Sequence, residues 1–292
     1  MQQERLLSDR VNVDDPANVM EFYYEKGWTD GLPVVPATEE RVLEFLAAAG
    51  RAPSDVIGVV PTRGRVITAE KVAINAVMAG CKPEYMPVLV AVLEAMCEPD
   101  FNYHGSQAST GSSAQLIVIN GPIAKELDVN SGVNVFGPGF RANSTIGRAV
   151  RLINMNVTGG TPGILDKSTL GQGGKYSMCI AENEEASPWE TLHVQRGFAP
   201  EDNAVSVFAV FSPTQISDGA SGSPESLLDS FAFAMKGMRH GMGEFVIVLS
   251  PEHARIFRNA EWSKQQAMEY LHEHASVSAE DLKRNGRLPG GI

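Results

Sequence analysis

The stretch VIGVVPTRGRVITAEKVAINAVMAGCKPEYMPVLVAVLEAMCEPDFNYHGSQASTGSSAQLIVIN, residues 56–120, switches twice between strand-like and helix-like text. VIGVV (56–60) and QLIVIN (115–120) are short apolar runs dominated by Val and Ile, which suit a pleated, buried strand. Between them the text reads as a helix from Thr68 to about Gly80 and a second from Pro83 to about Cys97. Strands and helices interleaved in this way predict an α/β fold, a layered sheet, parallel or mixed, with flanking helices.

Toward the C-terminus the alternation continues, with a helix from Asn143 to Met155, strands YSMCIA (176–181) and VSVFAVF (205–211), a helix over 224–237 and a strand EFVIVLS (244–250). That last strand runs into Ser250-Pro251-Glu252, an N-cap, an N1 proline and a first-turn acid, so a strand is expected to feed a helix there. Ser263 with Gln266 has capping-box spacing, and Ser278 with Asp281 is a looser version. The terminal GRLPGGI reads as a frayed tail.

Residues 1–50 read as an N-terminal helical appendage to an α/β domain over 51–292. Asp15 and Pro16 look like N-cap and N1 of a helix to about Lys26, and Thr38 opens another that stops at Gly50. TDGLPVVP between them is extended because of its prolines.

Composition narrows the function classes. The 292 residues carry 24 Lys plus Arg against 35 Asp plus Glu, a net charge of −11, without a basic run or an aromatic-basic stripe. Nucleic acid and anionic membrane are poor partners for such a chain. MQQERLLSDRVNVDD lacks the apolar core of a signal peptide, and no run reaches the roughly 18 apolar residues of a membrane span; a soluble, cytoplasmic protein is expected. Cys81, Cys97 and Cys179 are odd in number and far apart, which argues against a disulfide framework or a self-contained zinc site.

Four stretches carry chemistry-bearing residues, and together they predict an anion-receptive centre between about residues 100 and 190. In FGPGFRANSTIGRAVRLINMN (136–156) a Gly-Pro-Gly turn enters a helix opened by Asn143 or Ser144, with Arg141, Arg148 and Arg151 nearby, a pattern suited to seating a carboxylate or phosphate. It matches neither the Walker nor the dinucleotide fingerprint. In FNYHGSQASTGSSAQLIVIN (101–120) His104 and Gln107 stand in a loop dense with small polar residues, where an imidazole would serve as general base or simply cap a turn. In GKYSMCIAENEEASPWETLH (174–193) Glu182 follows a strand directly and is the candidate functional carboxylate, whereas Glu185 and Glu190 read as solvated acids. Cys81 sits at a helix-to-helix corner before Lys82 and Pro83, where a cation and a helix start would lower a thiol pKa; inert buried cysteines are commoner. His240, His253, His272 and His274 show no metal-ligand spacing, and metal stays the minority view.

TDGLPVVPATEERV (29–42), NAVMAGCKPEYMPV (75–88), FGPGFRANSTIGRAVRL (136–152) and GKYSMCIAENEEASPWE (174–190) together resemble an uncharacterised bacterial family loosely associated with small UGSC-type (seleno)proteins. Those proteins in turn look like parts of the B component of glycine/sarcosine/betaine reductase. The resemblance covers most of the chain and implies a partner protein carrying a reactive thiol or selenol, since this chain lacks the UGSC motif itself.

The leading expectation is a small-molecule enzyme, or the catalytic subunit of a two-component enzyme, that cleaves or reduces a carbon–heteroatom bond of a carboxylate-bearing substrate. Arg141, Asn143, Ser144, Arg148 and Gln107 would hold the anion, His104 and Glu182 would move protons, and Cys81 would be the nucleophile. The alternatives are a non-catalytic partner subunit, for which the Gly-rich loops and TDGLPVVP are docking surfaces, and a metal-dependent hydrolase. An oligomer is expected; the cofactor and the substrate are left open.

Overall fold

A computed structural model of the chain describes residues 5–13, 15–238 and 244–286. His240, read above as a loop residue, and all of the predicted tail beyond Gly286 lie outside the described residues.

The chain divides into two compact units, Met1–Glu182 with Leu192–Pro213, and Asn183–Thr191 with Thr214–Ile292. The predicted 1–50 segment lies within the first. There a 3-10 turn at Pro16–Asn18 precedes α1 (Val19–Glu25), and Thr38 caps α2 (Glu39–Ala49) by accepting from the Arg41 amide. Helix α2 ends where Gly50 takes a left-handed conformation at φ 59°, and it sends Val42, Phe45 and Leu46 into the main core.

The predicted VIGVV strand is β1 (Val56–Val60), and it pairs with β2 (Arg65–Thr68), a strand the sequence reading passed over. A 3-10 turn at Pro61–Arg63, closed by Gly64 at φ 58°, joins them as a hairpin. Thr68 then caps α3 (Ala69–Ala79), a 3-10 turn at Pro83–Tyr85 enters α4 (Met86–Cys97), and α5 (Tyr103–Gln107) precedes β3 (Ala114–Asn120). After α6 (Pro122–Glu126) and a Gly-rich loop comes α7 (Arg141–Asn156), which starts two residues before the predicted position with Phe140 as N-cap. Asn143 and Ser144 therefore lie inside the first turn and do not cap it. YSMCIA forms a strand only over β4 (Cys179–Ala181), and α8 (Leu192–Gln195) leads to β5 (Ala204–Val210).

β3 is the middle of a three-stranded mixed sheet in the order β4-β3-β5, parallel to β4 with Ile119 opposite Ala181 and antiparallel to β5 with Ile117 opposite Val207. The predicted α/β class is therefore realised, with a mixed sheet. Alternate residues of the strands face opposite ways: Ile117, Ile119, Cys179 and Ala181 join α3, α4 and α7 in the main core, while Leu116, Val118, Met178 and Ile180 form a smaller cluster on the other face.

The second unit is helical, with α9 (Pro224–Gly237), α10 (Pro251–Asn259), α11 (Lys264–His274) and α12 (Ala279–Arg284). Phe257 is fully buried there against Trp189 and Trp262. Ser250, Ser263 and Ser278 cap their helices as read from sequence. The predicted strand EFVIVLS is not one: 244–250 carries no regular structure. Its apolar run serves packing instead, since Ile247 and Leu249 lie on the apolar cluster while Phe245, Val246 and Val248 are exposed. An apolar run suits any extended segment lying on a core; a strand also needs a ladder partner.

Candidate functional site

The polar centre of the first unit lies at the N-terminal end of β3. It is lined by Ser106 and Gln107 from α5, Ser113 and Gln115 at the start of β3, Arg151 and Asn154 from α7, and Gly160, Asp166 and Lys175 from the loop between α7 and β4. Arg151 and Asn154 are three apart on a helix and so share a face. The cleft between them is narrow, with a free volume of about 10 Å³, room for about one water molecule, so a larger ligand has to displace part of the lining.

Charge is concentrated on one side of it. Lys175 Nζ donates to both carboxylate oxygens of Asp166 at 2.8 and 2.6 Å and to Ser168 Oγ at 2.6 Å, and Arg151 Nη1 reaches Asp166 at 3.4 Å. Burial alone would raise the Asp166 carboxyl, but the hydrogen bonds from Lys175 and Ser168 outweigh it and hold its pKa below the ordinary value. Asp166, only 7% exposed, is therefore an anion facing two cations, which leaves one positive charge in excess. The loop that presents it is tied down locally: the amides of Ile164, Leu165 and Asp166 all point to the Thr161 carbonyl, and Gln172 Nε2 donates to the Ser112 carbonyl at 2.7 Å.

The opposite wall is an amide network. Gln107 Nε2 donates to Asn154 Oδ1 and Thr158 Oγ1, both at 3.0 Å, and Tyr103 Oη donates to Asn154 Oδ1 at 2.7 Å. Asn154 Nδ2 donates in turn to Gln115 Oε1 at 2.8 Å, which keeps the Gln115 amide donor for the cavity. Buried amides linked in this way fix one another's orientation and make the wall rigid.

Of the residues singled out from sequence, Gln107 and Arg151 line this cavity. His104 lies one helical turn earlier on α5, with Nδ1 buried and unpaired. Glu182 is at the far end of the sheet, five residues of β3 or about 17 Å from Gln115 at a strand rise of about 3.3 Å per residue; its Oε2 accepts from Asn120 Nδ2 at 2.6 Å and the Leu192 amide at 2.8 Å.

The expected anion seat at the start of α7 is occupied by the protein itself. Arg141 donates to the Gly80 and Cys81 carbonyls at 3.0 and 3.2 Å, closing the C-terminus of α3. Arg148 makes a bidentate pair with Asp30 and also binds the Leu32 and Pro33 carbonyls, so TDGLPVVP is its ligand. Asn143 exchanges two hydrogen bonds with the backbone of Asn130, and Ser144 continues the helix through its amide to Phe140. The expected lowering of the Cys81 pKa is not found: burial pushes the thiol up to about 12, its Sγ donates to the Thr145 carbonyl, and Lys82 is exposed.

Sequence reading missed Asp166, Lys175, Asn154 and Gln115. The available signal was three charges, Asp166, Lys167 and Lys175, in the otherwise uncharged, Gly-rich LDKSTLGQGGK (165–175). A larger groove of about 180 Å³ runs along β5 past His193, Arg196 and Phe198; its lining is largely strand residues, with Arg196 resting on the Phe208 ring. Among the described residues no three His, Cys, Asp or Glu side chains converge as a metal-ligand set, and no helix is long and apolar enough to cross a membrane. Comparison with protein-family models, curated proteins and solved structures finds no match to this chain.

Proposed function

We propose that this chain binds a small carboxylate-bearing metabolite at the Arg151–Lys175 pocket and acts on it as an enzyme or as the catalytic subunit of a two-component enzyme. The observation that carries this reading is the excess of one positive charge in a cavity whose other walls are oriented amides. All three Nζ hydrogens of Lys175 have acceptors, so an entering carboxylate takes the place of Ser168 and spans to Arg151. Gln115 Nε2 supplies a neutral donor to the same group.

The thiols of this chain are poor nucleophiles for the chemistry. Burial raises Cys81, Cys97 and Cys179 alike. If the reaction is cleavage or reduction of a carbon–heteroatom bond, as the likeness to UGSC-associated proteins implies, the attacking sulfur or selenium belongs to a partner. Calorimetric titration with propionate and with its neutral analogue propionamide tests the binding step. Propionate heat that disappears in Lys175→Met, with none from propionamide, is expected; equal response to the two probes overturns the reading.

A partner-subunit reading has its own support. Val133, Ile164 and Leu170 are 90%, 74% and 93% exposed, on the loops before and after α7. Large apolar side chains so exposed favour docking to another protein. Co-purification of an obligate partner, with no carboxylate binding by this chain alone, would select that alternative.

A further inference from the structure

Strand β5 forms one edge of the three-stranded sheet, and the direction of its hydrogen bonds follows from those of β3. The Ile117 amide donates to the Met178 carbonyl and the Ile119 carbonyl accepts from the Glu182 amide, so Ile117 and Ile119 turn their backbone groups toward β4. Leu116 and Val118 therefore turn theirs toward β5, where they stand opposite Phe208 and Ser206. The amides and carbonyls of Val205, Val207 and Ala209 are left pointing away from the sheet. None of these groups has a partner among the described residues. None of the seven residues of β5 is buried, whereas six of the seven in β3 are.

An open edge is a template for another strand, and proteins that avoid such pairing place a charge, a proline or a bulge along it. β5 has none of these: from Asn203 to Ser212 the chain is uncharged and without proline, and its pairing with β3 is regular from Ala204 to Val210. The groove beside β5 lies along this edge, because five consecutive residues, Ala204–Phe208, line it, and consecutive side chains of a strand point to opposite faces. Arg196 and Phe198 in its other wall flank the N-terminal half of the strand, whereas Ala209 and Phe211 at the C-terminal end are exposed.

The occupant that fits is a second copy of β5. An antiparallel pair about a two-fold axis at Val207 sets Val207 opposite itself and Val205 opposite the second copy's Ala209, so every outward amide meets an outward carbonyl. The same axis lays the C-terminal half of each strand in the groove beside the other's N-terminal half. It also carries Phe211 of each copy, 50% exposed, toward Phe198 of the other, 51% exposed. Charge agrees, since a chain of net charge −11 repels its own copies and this strip holds no acid. We infer that the chain forms a two-fold dimer through β5, joining the two three-stranded sheets edge to edge.

Sedimentation equilibrium of the full chain at micromolar concentration should give the mass of two chains. Ala209→Pro blocks an outward amide without removing a hydrogen bond between β5 and β3, and edge strands tolerate proline at such positions. It should weaken self-association at least about tenfold while circular dichroism and the unfolding temperature stay near wild type. Val207→Cys reads the register: opposite residues of such a pair have Cα atoms about 5.5 Å apart, within disulfide range, so mild oxidation should link the two copies. Ala209→Cys, about 13 Å from its own counterpart at about 3.3 Å per residue, should not link. A wild-type mass of one chain overturns the proposal, and so does a folded Ala209→Pro that remains a dimer. Where Ala209→Pro fails to fold, cross-linking decides: a dimer that Val207→Cys does not link, or that Ala209→Cys links equally well, overturns the pairing through β5.

Discussion

Lys175 Nζ contacts both carboxylate oxygens of Asp166 within a site whose third charged group, Arg151, contacts the same carboxylate. Asp166 thus orders the cations and at the same time competes with any incoming anion. Asp166→Asn keeps the shape and removes the competing charge, so it should bind propionate several-fold more tightly, while Lys175→Met should lose binding. Titration of the two variants checks this, and a parallel loss in both would mean that Asp166 matters to the ligand only through folding.

Acid should reveal the same ion pairs. Asp166 and Asp30 are both depressed below their ordinary 3.8, in each case because hydrogen bonds and charge, from Lys175 and Arg148 respectively, outweigh the effect of burial. A carboxyl lowered on folding contributes stability that is complete above the unfolded value and lost as pH falls through the folded one. Urea unfolding at stepped pH should therefore show wild-type stability dropping below about pH 4. Asp166→Asn and Asp30→Asn should be less stable at neutral pH and decline less steeply; variants that decline as steeply as wild type would contradict the assignment.

Arg148 should matter to stability and not to the ligand. Its partner Asp30 is 3% exposed, and removing the guanidinium leaves that carboxylate buried and unpaired. Arg148→Ala is expected to cost about 3 kcal/mol in denaturant unfolding with carboxylate affinity unchanged. Lost affinity at full stability would restore the anion-binding role that the sequence suggested for it.

These contrasts mark what could be read from the chain. Caps were legible, because Thr38, Thr68, Ser250 and Ser263 act on amides three residues away. β3 was legible because six of its seven residues are buried and its apolar run follows. Arginine roles were not, since the Arg148 partner is 118 residues distant and the Arg141 partners are 60 and 61. A cation facing an anion from elsewhere in the chain looks the same in sequence as one waiting for a ligand. The proposed pocket lies within residues 100–190 of the chain, at the N-terminal end of β3, where Gln107 meets Asn154 across 47 residues. Glu182 was chosen because it follows a strand, and it does follow β4, at the opposite end of the sheet from the proposed pocket.

Thiol chemistry gives a simple check. With Cys81 at about 12, its thiolate fraction at pH 8 is roughly one in ten thousand, and Cys179 is raised and fully buried as well. Iodoacetamide should modify Cys81 and Cys179 only on the timescale of unfolding, as read by mass spectrometry of digests. Rapid labelling of Cys81 in the folded chain would return it to consideration as a nucleophile.

The most direct measurement is a crystal structure of the chain soaked in acetate at high millimolar concentration, with a Lys175→Met crystal treated identically. A carboxylate bridging Lys175 Nζ and Arg151 in wild type, in the place where Ser168 Oγ now meets Lys175, and missing from the variant, is the predicted result. Acetate bound elsewhere with the Lys175–Ser168 contact intact, or bound equally in Lys175→Met, would contradict the claim that this pocket is an anion site.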